Sequence, residues 1–331
     1  MLKILIKKQL MEVFRSYYYN PKNNKTRSKG GVIGMFILFV FLMVGVLGGT
    51  FAFLGWVMCV PLVEANVGWL YFIIFGLIAV LLGLFGSVFS TFSGLYLAKD
   101  NDLLLAMPIP VRTILLSRLV NVFLMSLLYV AAVMVPALIV YWIFGVCSFA
   151  TVLGGLLLLV WITVFVTLLS CLLGWVVAKL SLKLKNKSFI TVLIAIAGIG
   201  IYYFFYFKAQ ELLRDLAENA AIYGAQVEVA AYPLYLFGRI GEGDGLAILV
   251  FVAALAILAA LTWLLLRKTF LSIATATGSE KKAVYREQPM TVQSADRALL
   301  GKELRRFAAS ANYMLNCGLG LLFLVDRKSV V

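Results

Sequence analysis

The chain contains no histidine. That absence removes Ser-His-Asp and Cys-His hydrolases, His-ligated zinc and haem, and histidine-dependent membrane proteases and acyltransferases. Only chemistry run by Asp, Glu, Lys, Ser or Cys survives. No G-x-x-x-x-G-K-[ST] run is present to cradle phosphates, so ATP binding by that device is excluded in this chain. Four cysteines (Cys59, Cys147, Cys171, Cys317) lack metal-ligand spacing and read as isolated buried thiols, with Cys59 and Cys147 alone placed for a bridge. Charge is scarce as well: 13% of residues are charged against about a quarter in soluble domains. With 63% hydrophobic residues and a mean hydropathy of +1.01, the 331 residues describe an integral membrane protein. Acids are scarcest, 15 against 29 Lys and Arg. In a soluble chain that surplus would mark a nucleic-acid surface; here membrane orientation accounts for most of it, and no nucleic acid is expected as a partner.

What is present is apolar runs. Six are long enough to cross about 30 Å of hydrocarbon: 32–60, 69–97, 114–144, 149–178, 189–207 and 246–266. The first four exceed a perpendicular span and are expected to tilt, kink or run past the bilayer, with Pro136 as the expected kink. Connections at 61–68 and 145–148 read as tight hairpins. The fold class is therefore all-α: a polytopic helical membrane protein with about six spans.

Twenty-four of the basic residues fall on one side of these spans, in the arm 1–30, the segment around Lys99–Arg118, the loop 179–188 and the segment 267–313. Only Lys208, Arg214 and Arg239 fall on the other. Lys and Arg bias short cytoplasmic loops, so the N-terminus is expected inside, the hairpins outside, and 208–245 external with its six acids. Trp56, Trp69 and Trp142 then fall at the outer interface and Trp175 and Trp263 near the inner one; Trp161 lies mid-span and fits neither belt. No cleavable signal peptide is evident; the first run reads as a signal anchor of the plasma membrane.

The spans hold a single ionisable group, Arg118, near enough to its helix end to snorkel. Carboxylates and lysines at membrane depth, which bind coupling ions in secondary transporters and pumps, are missing. Any transport energy must then enter through the loops. Between spans two and three, Asp100 or Asp102 can N-cap a short helix that Pro108 ends, while Pro110 opens the next. The result is a helix of one to two turns with exposed Leu103, Leu104 and Leu105, either dipping into lipid or docking on a soluble partner. Met1–Arg15 places Leu2, Leu5, Ile6, Leu10, Val13 and Phe14 largely on one face, as an interfacial helix does. Gly45 and Gly49 form a small-xxx-small pair suited to helix packing.

Acidic residues followed by a Leu-rich turn, a Pro and a basic helix entry make 98–118 resemble the intracellular coupling helix of type-2 ABC exporter permeases. The layout resembles that family too, with Met1–Arg15 as its elbow helix and 208–245 as its external segment. The resemblance implies that Asp100, Asp102, Leu104, Met107, Pro108 and Arg112 touch a cytoplasmic ABC ATPase, with Lys183 and Lys185 as a second contact. ATP and Mg2+ would then reside in that partner, with no cofactor, metal or catalytic residue in this chain, and the cargo would be amphiphilic.

Past the sixth span, 268–313 turns polar and then basic. Lys8, Leu10, Ser16 and Tyr19 recur as Lys302, Leu304, Ser310 and Tyr313, so 268–313 is expected to carry a second elbow-like helix and 314–331 the start of a seventh span. A run of about twelve apolar residues is too short to cross, which points to a truncated product and to a missing second half, or another permease subunit, as partner. Membrane lipids are the remaining partner. Two competitors stand beside this reading. A membrane enzyme acting on lipid-linked substrates would use Glu211, Asp215 and Glu218 on one helical face; a scaffold or sensor would use none of these devices.

Overall fold

The computed structural model describes residues 2–20, 24–95, 98, 100–183, 208, 215, 219–276 and 294–309. It divides into two units, 1–179 with 213–278 and 180–212 with 279–331. In the first, α1 (Leu2–Val13) and α2 (Arg15–Tyr18) precede a two-residue hairpin, β1 (Tyr19–Asn20) and β2 (Lys25–Thr26), paired antiparallel. Ser28 then caps α3 (Lys29–Val40), its Oγ accepting the Gly31 N–H at 3.3 Å. A π-helical stretch, Phe41–Gly48, joins α3 to α4 (Gly49–Glu64), so the first span runs over 36 residues, about 54 Å of helix. Next come α5 (Gly68–Leu95), α6 (Asn101–Ala106), α7 (Val111–Phe144) and α8 (Phe149–Lys183). The unit closes with α9 (Ala220–Ala230), α10 (Tyr232–Glu242) and α11 (Gly245–Ala276). In the second unit, α12 (Ala295–Ala309) is amphipathic, with Asp296 in its first turn and Arg306 in its last, as the helix dipole favours.

Five helices among the described residues are long and apolar enough to cross a membrane. They match five of the six expected runs, and the helices overrun the runs because polar residues at the interface continue the same backbone hydrogen bonding. The run 189–207, the acids Glu211 and Glu218, Ser310, Tyr313 and 314–331 lie outside the described residues. α7 stays a single element through Pro136, whose ring packs on Gly48 of the first span. Among the described residues Gly45 and Gly49 do not make the expected packing pair: no other described segment approaches either, and Gly48 is the buried glycine of that stretch.

α7 is the hub: α5, α4 and α1 pack on it, and α10 packs on α5. Several buried hydroxyls of the bundle are satisfied by their own helix, since lipid offers no partner. Ser87, Thr91, Thr163 and Thr167 donate to the carbonyl four residues back, at 2.6–2.8 Å. Ser87 and Ser170 bridge α5 to α8 at 2.5 Å, and Tyr71 donates to the Ala137 carbonyl at 2.8 Å, tying α5 to α7.

Within the segment expected to be external, α10 is a wedge more than a surface anchor. Phe237, Gly238, Ile240 and Gly241 are buried against Trp69, Phe72, Ile73 and Gly76 of α5. Trp69 is accordingly not a belt residue; it is buried, edge-on to Tyr235 at 4.9 Å. The wedge also explains Trp161. Its indole donates to the Phe251 carbonyl at 2.9 Å and its ring meets Phe165, Phe237 and Phe251, a polar handle satisfied at mid-span. Cys59 is buried and Cys147 exposed, and both are free thiols.

Candidate functional site

The charged side chains of the basic end converge on α6. The chain leaves α5 after Leu95, and Asp100 sits at the N-cap of α6, its carbonyl accepting the Leu104 N–H at 2.9 Å. Its carboxylate does not cap the helix as expected. One oxygen takes a hydrogen bond from the Lys8 ammonium of α1, and the other accepts from Arg118 Nη2 of α7 at 2.9 Å. Arg118 Nη2 also donates to Asn101 Oδ1 at 2.7 Å and Nη1 donates to the Gly94 carbonyl. Lys8 further pairs with Glu12 at 3.5 Å.

Arg118 therefore does not snorkel. Its side chain is 2% exposed, held inside because a carboxylate, an amide and a carbonyl replace the water it gave up. Burial alone would raise the Asp100 carboxyl, but the hydrogen bond from Lys8 and the charge and hydrogen bond of Arg118 outweigh it and hold it below its ordinary value. An apolar cluster underlies the ion pairs: Leu5 of α1, Leu104 of α6 and Ile114 of α7 are buried together, with Leu105 and Ile109 against them. α1 is thus docked on protein through Leu5 and Gln9, while Ile4 and Met11 are exposed. Met107 takes an extended backbone, Pro108 follows, and Pro110 is the N-cap of α7.

The outcome for each expected contact residue follows from this packing. Met107, Pro108 and Arg112 are exposed beside Leu103, which is 63% exposed. Leu104 corrects the expectation of three exposed leucines: it is buried beneath α1. Asp100 faces inward to its two cations. The side chains of Asp102 and Lys183, and Lys185 altogether, lie outside the described residues. Sequence reasoning missed Lys8, Asn101 and Arg118 as members of this cluster. The available signal was a lone buried-depth arginine in α7 with an acid in the neighbouring loop of an otherwise basic end.

The opposite end holds a second charged cluster. Arg239 donates to Tyr235 Oη and pairs with Asp244, both at 2.8 Å, and with Glu242 at 3.9 Å. Asp244 also caps α11, accepting the Leu246 N–H at 2.9 Å. Glu242 accepts the Trp69 N–H at the start of α5; burial is the largest influence on its carboxyl and raises it, against Arg239 and that N–H. Gly243 ends α10 in the left-handed region at φ 90°, with Asp244 N–H bonded to the Arg239 carbonyl and Gly243 N–H to that of Ile240. A side chain at Gly243 would strike the Ala150 carbonyl, at 2.4 Å from its Cβ. Among the described residues no cluster of acids and cysteines is arranged for a metal.

Residues 31–308 match the family model described as membrane protein of 12 TMs. The chain belongs to that family of twelve-span membrane proteins, and it is a helical, multi-pass membrane protein. No curated protein and no solved structure matches it.

Proposed function

We propose that the chain, a member of that twelve-span family, is a permease of an ATP-driven ABC exporter, moving an amphiphilic cargo outward when a separate cytoplasmic ATPase acts on its basic end. One observation carries the reading: α6 is a short helix, exposed at Leu103 and buried at Leu104, clamped at its first turn to α1 and α7 by Asp100, Lys8 and Arg118. A push on Leu103, Met107, Pro108 and Arg112 is then delivered to α5 and α7 as a rigid displacement, because the clamp and the buried Leu104 leave α6 no independent motion. The surplus of Lys and Arg around α1, α6 and the ends of α8 and α11 supports a cytoplasmic placement of this end and a plasma-membrane setting. A twelve-span family agrees with a transport unit of two six-span halves, the second half coming from this gene or another subunit. Spans that bury no charged side chain but Arg118 among their described residues favour a lipid-like or peptide cargo over a small ion.

The test is affinity purification of the tagged protein from native membranes in mild detergent, with mass spectrometry and an ATP hydrolysis assay. A stoichiometric P-loop ATPase whose stimulated turnover is lost in L103D and M107D supports the proposal. No ATPase under conditions that hold another ABC complex together sinks it and moves the weight to an enzyme or a scaffold. Leu104 is a poor probe here, since replacing it unseats α1 as well.

A further inference from the structure

A second feature of the basic end shares Arg112 with the proposed ATPase contact but needs no ATPase to act. Between the first turn of α7 and the last turns of α11 lies a cleft of about 210 Å3 lined by Val111, Arg112, Leu115, Arg267, Phe270 and Leu271. Leu115 and Phe270 form its buried floor, at 1% exposure each, and belong to the apolar cluster that Trp175 and Trp263 border. Two guanidinium groups from different spans open onto this floor, and among the described residues neither has an acidic partner. Every other cation of a cluster described above, Lys8, Arg118 and Arg239, is paired. Two cations lining one cleft attract an anion. Arg267 lies twenty-two residues along α11 from Gly245, about 33 Å, which sets it at the far membrane interface. The first N–H groups of α7 face the same level and favour negative charge.

We propose that this cleft binds the headgroup of an anionic phospholipid, its phosphate held by Arg112 and Arg267 and its glycerol and first acyl carbons resting on Leu115 and Phe270. An apolar floor under a cationic rim matches a molecule with a charged head and an apolar stem. A soluble phosphate shares the charge but uses none of the floor.

Native mass spectrometry of the purified protein, titrated with phosphatidylglycerol or phosphatidylcholine, tests the site. Phosphatidylglycerol is expected to be retained in preference, with its affinity lowered about thirtyfold in R112Q/R267Q, from about fivefold per interfacial charge. R112K/R267K should restore most of the affinity. V111W, which fills the cleft and keeps both charges, should lower it. K3Q/K7Q removes two exposed charges of α1 and should change nothing. Equal retention of the two lipids, equal loss in K3Q/K7Q, or full binding in both R112Q/R267Q and V111W overturns the proposal. Displacement of the lipid by inorganic phosphate also overturns it, because that assigns the site to a free anion.

Discussion

At the basic end Asp100 lies between two cations, Lys8 and Arg118, whereas at the hairpin end Glu242 and Asp244 share one, Arg239. Both carboxylates are drawn out of water, yet Asp100 is held below its ordinary value and Glu242 above it. Stoichiometry decides the sign. A desolvated carboxylate with two short charge-assisted bonds recovers more than it lost, while one sharing a cation at 3.9 Å with a better-placed neighbour does not. The two ends also differ in what they join. The first cluster ties α6 and its neighbour α7 to α1, 92 residues earlier in the chain; the second closes a local turn between α10 and α11 and seats it on α5.

Removing the carboxylate charge at each end breaks the comparison most sharply. Asp100→Asn leaves a guanidinium that is 2% exposed without its counter-charge, and breaking a buried pair this way costs about 3–5 kcal/mol. Glu242→Gln keeps an oxygen for the Trp69 N–H and removes a charge that burial disfavours, so its effect should lie between neutral and about 1 kcal/mol stabilising. Thermal unfolding in detergent at a fixed scan rate reads both. A D100N as mild as E242Q would mean that Arg118 is not held by Asp100.

Next in size is the seating of the hairpin end. A methyl at Gly154 would stand 2.3 Å from the Ile240 carbonyl and 2.6 Å from the Gly243 nitrogen. Both obstacles are backbone, so α10 must move, and G154A should destabilise by about 1–3 kcal/mol. Limited proteolysis at 219–245 should then accelerate, with no matching change around α6. Equal acceleration at both ends would show that the two clusters are coupled.

Five of the six expected spans and their order were legible because a bilayer imposes one length and one polarity on every crossing. The short helix after α5 was legible from Asp100, Pro108 and Pro110. The partners of its side chains were not. Leu104 and Leu103 look alike in sequence, and only the placement of α1 across α6 buries one and exposes the other. Arg118 carried the right warning, an ion in an apolar run, but both its snorkelling and its burial satisfy the same pattern until Asp100 is placed beside it. The wedge of α10 was hidden because its aromatic residues, Tyr232, Tyr235 and Phe237, suit an interface equally well. Its glycines at 238 and 241 admit Trp69 and Phe72, and that is a pairwise property of two distant segments.

The pH response sharpens the comparison further, with opposite signs at the two ends. Asp100 is depressed, so its contribution is complete above the ordinary aspartate range and is lost as pH falls through its lower folded value. Glu242 is raised, so its contribution is complete below the ordinary glutamate range and is lost as pH rises through its higher folded value. On acidification from neutrality the hairpin end should therefore firm up before the basic end gives way. The thermal midpoint is expected to pass through a maximum on the acid side of neutrality. E242Q should remove the rise and D100N the fall; a profile unchanged by either substitution would show that other groups set it.

The smallest effect separates the two cations of the basic end. Lys8 is 40% exposed and Arg118 2%, so solvent screens the first and not the second. K8Q should cost only about 0.2–1 kcal/mol, and the difference from wild type should shrink in about 1 M salt, where the Debye length falls to about 3 Å. The D100N deficit should persist there, because its source is a desolvated guanidinium that salt does not reach. If the K8Q deficit also persists in high salt, the Lys8 link is shielded like the Arg118 one, and α1 is as firmly part of the clamp as α7.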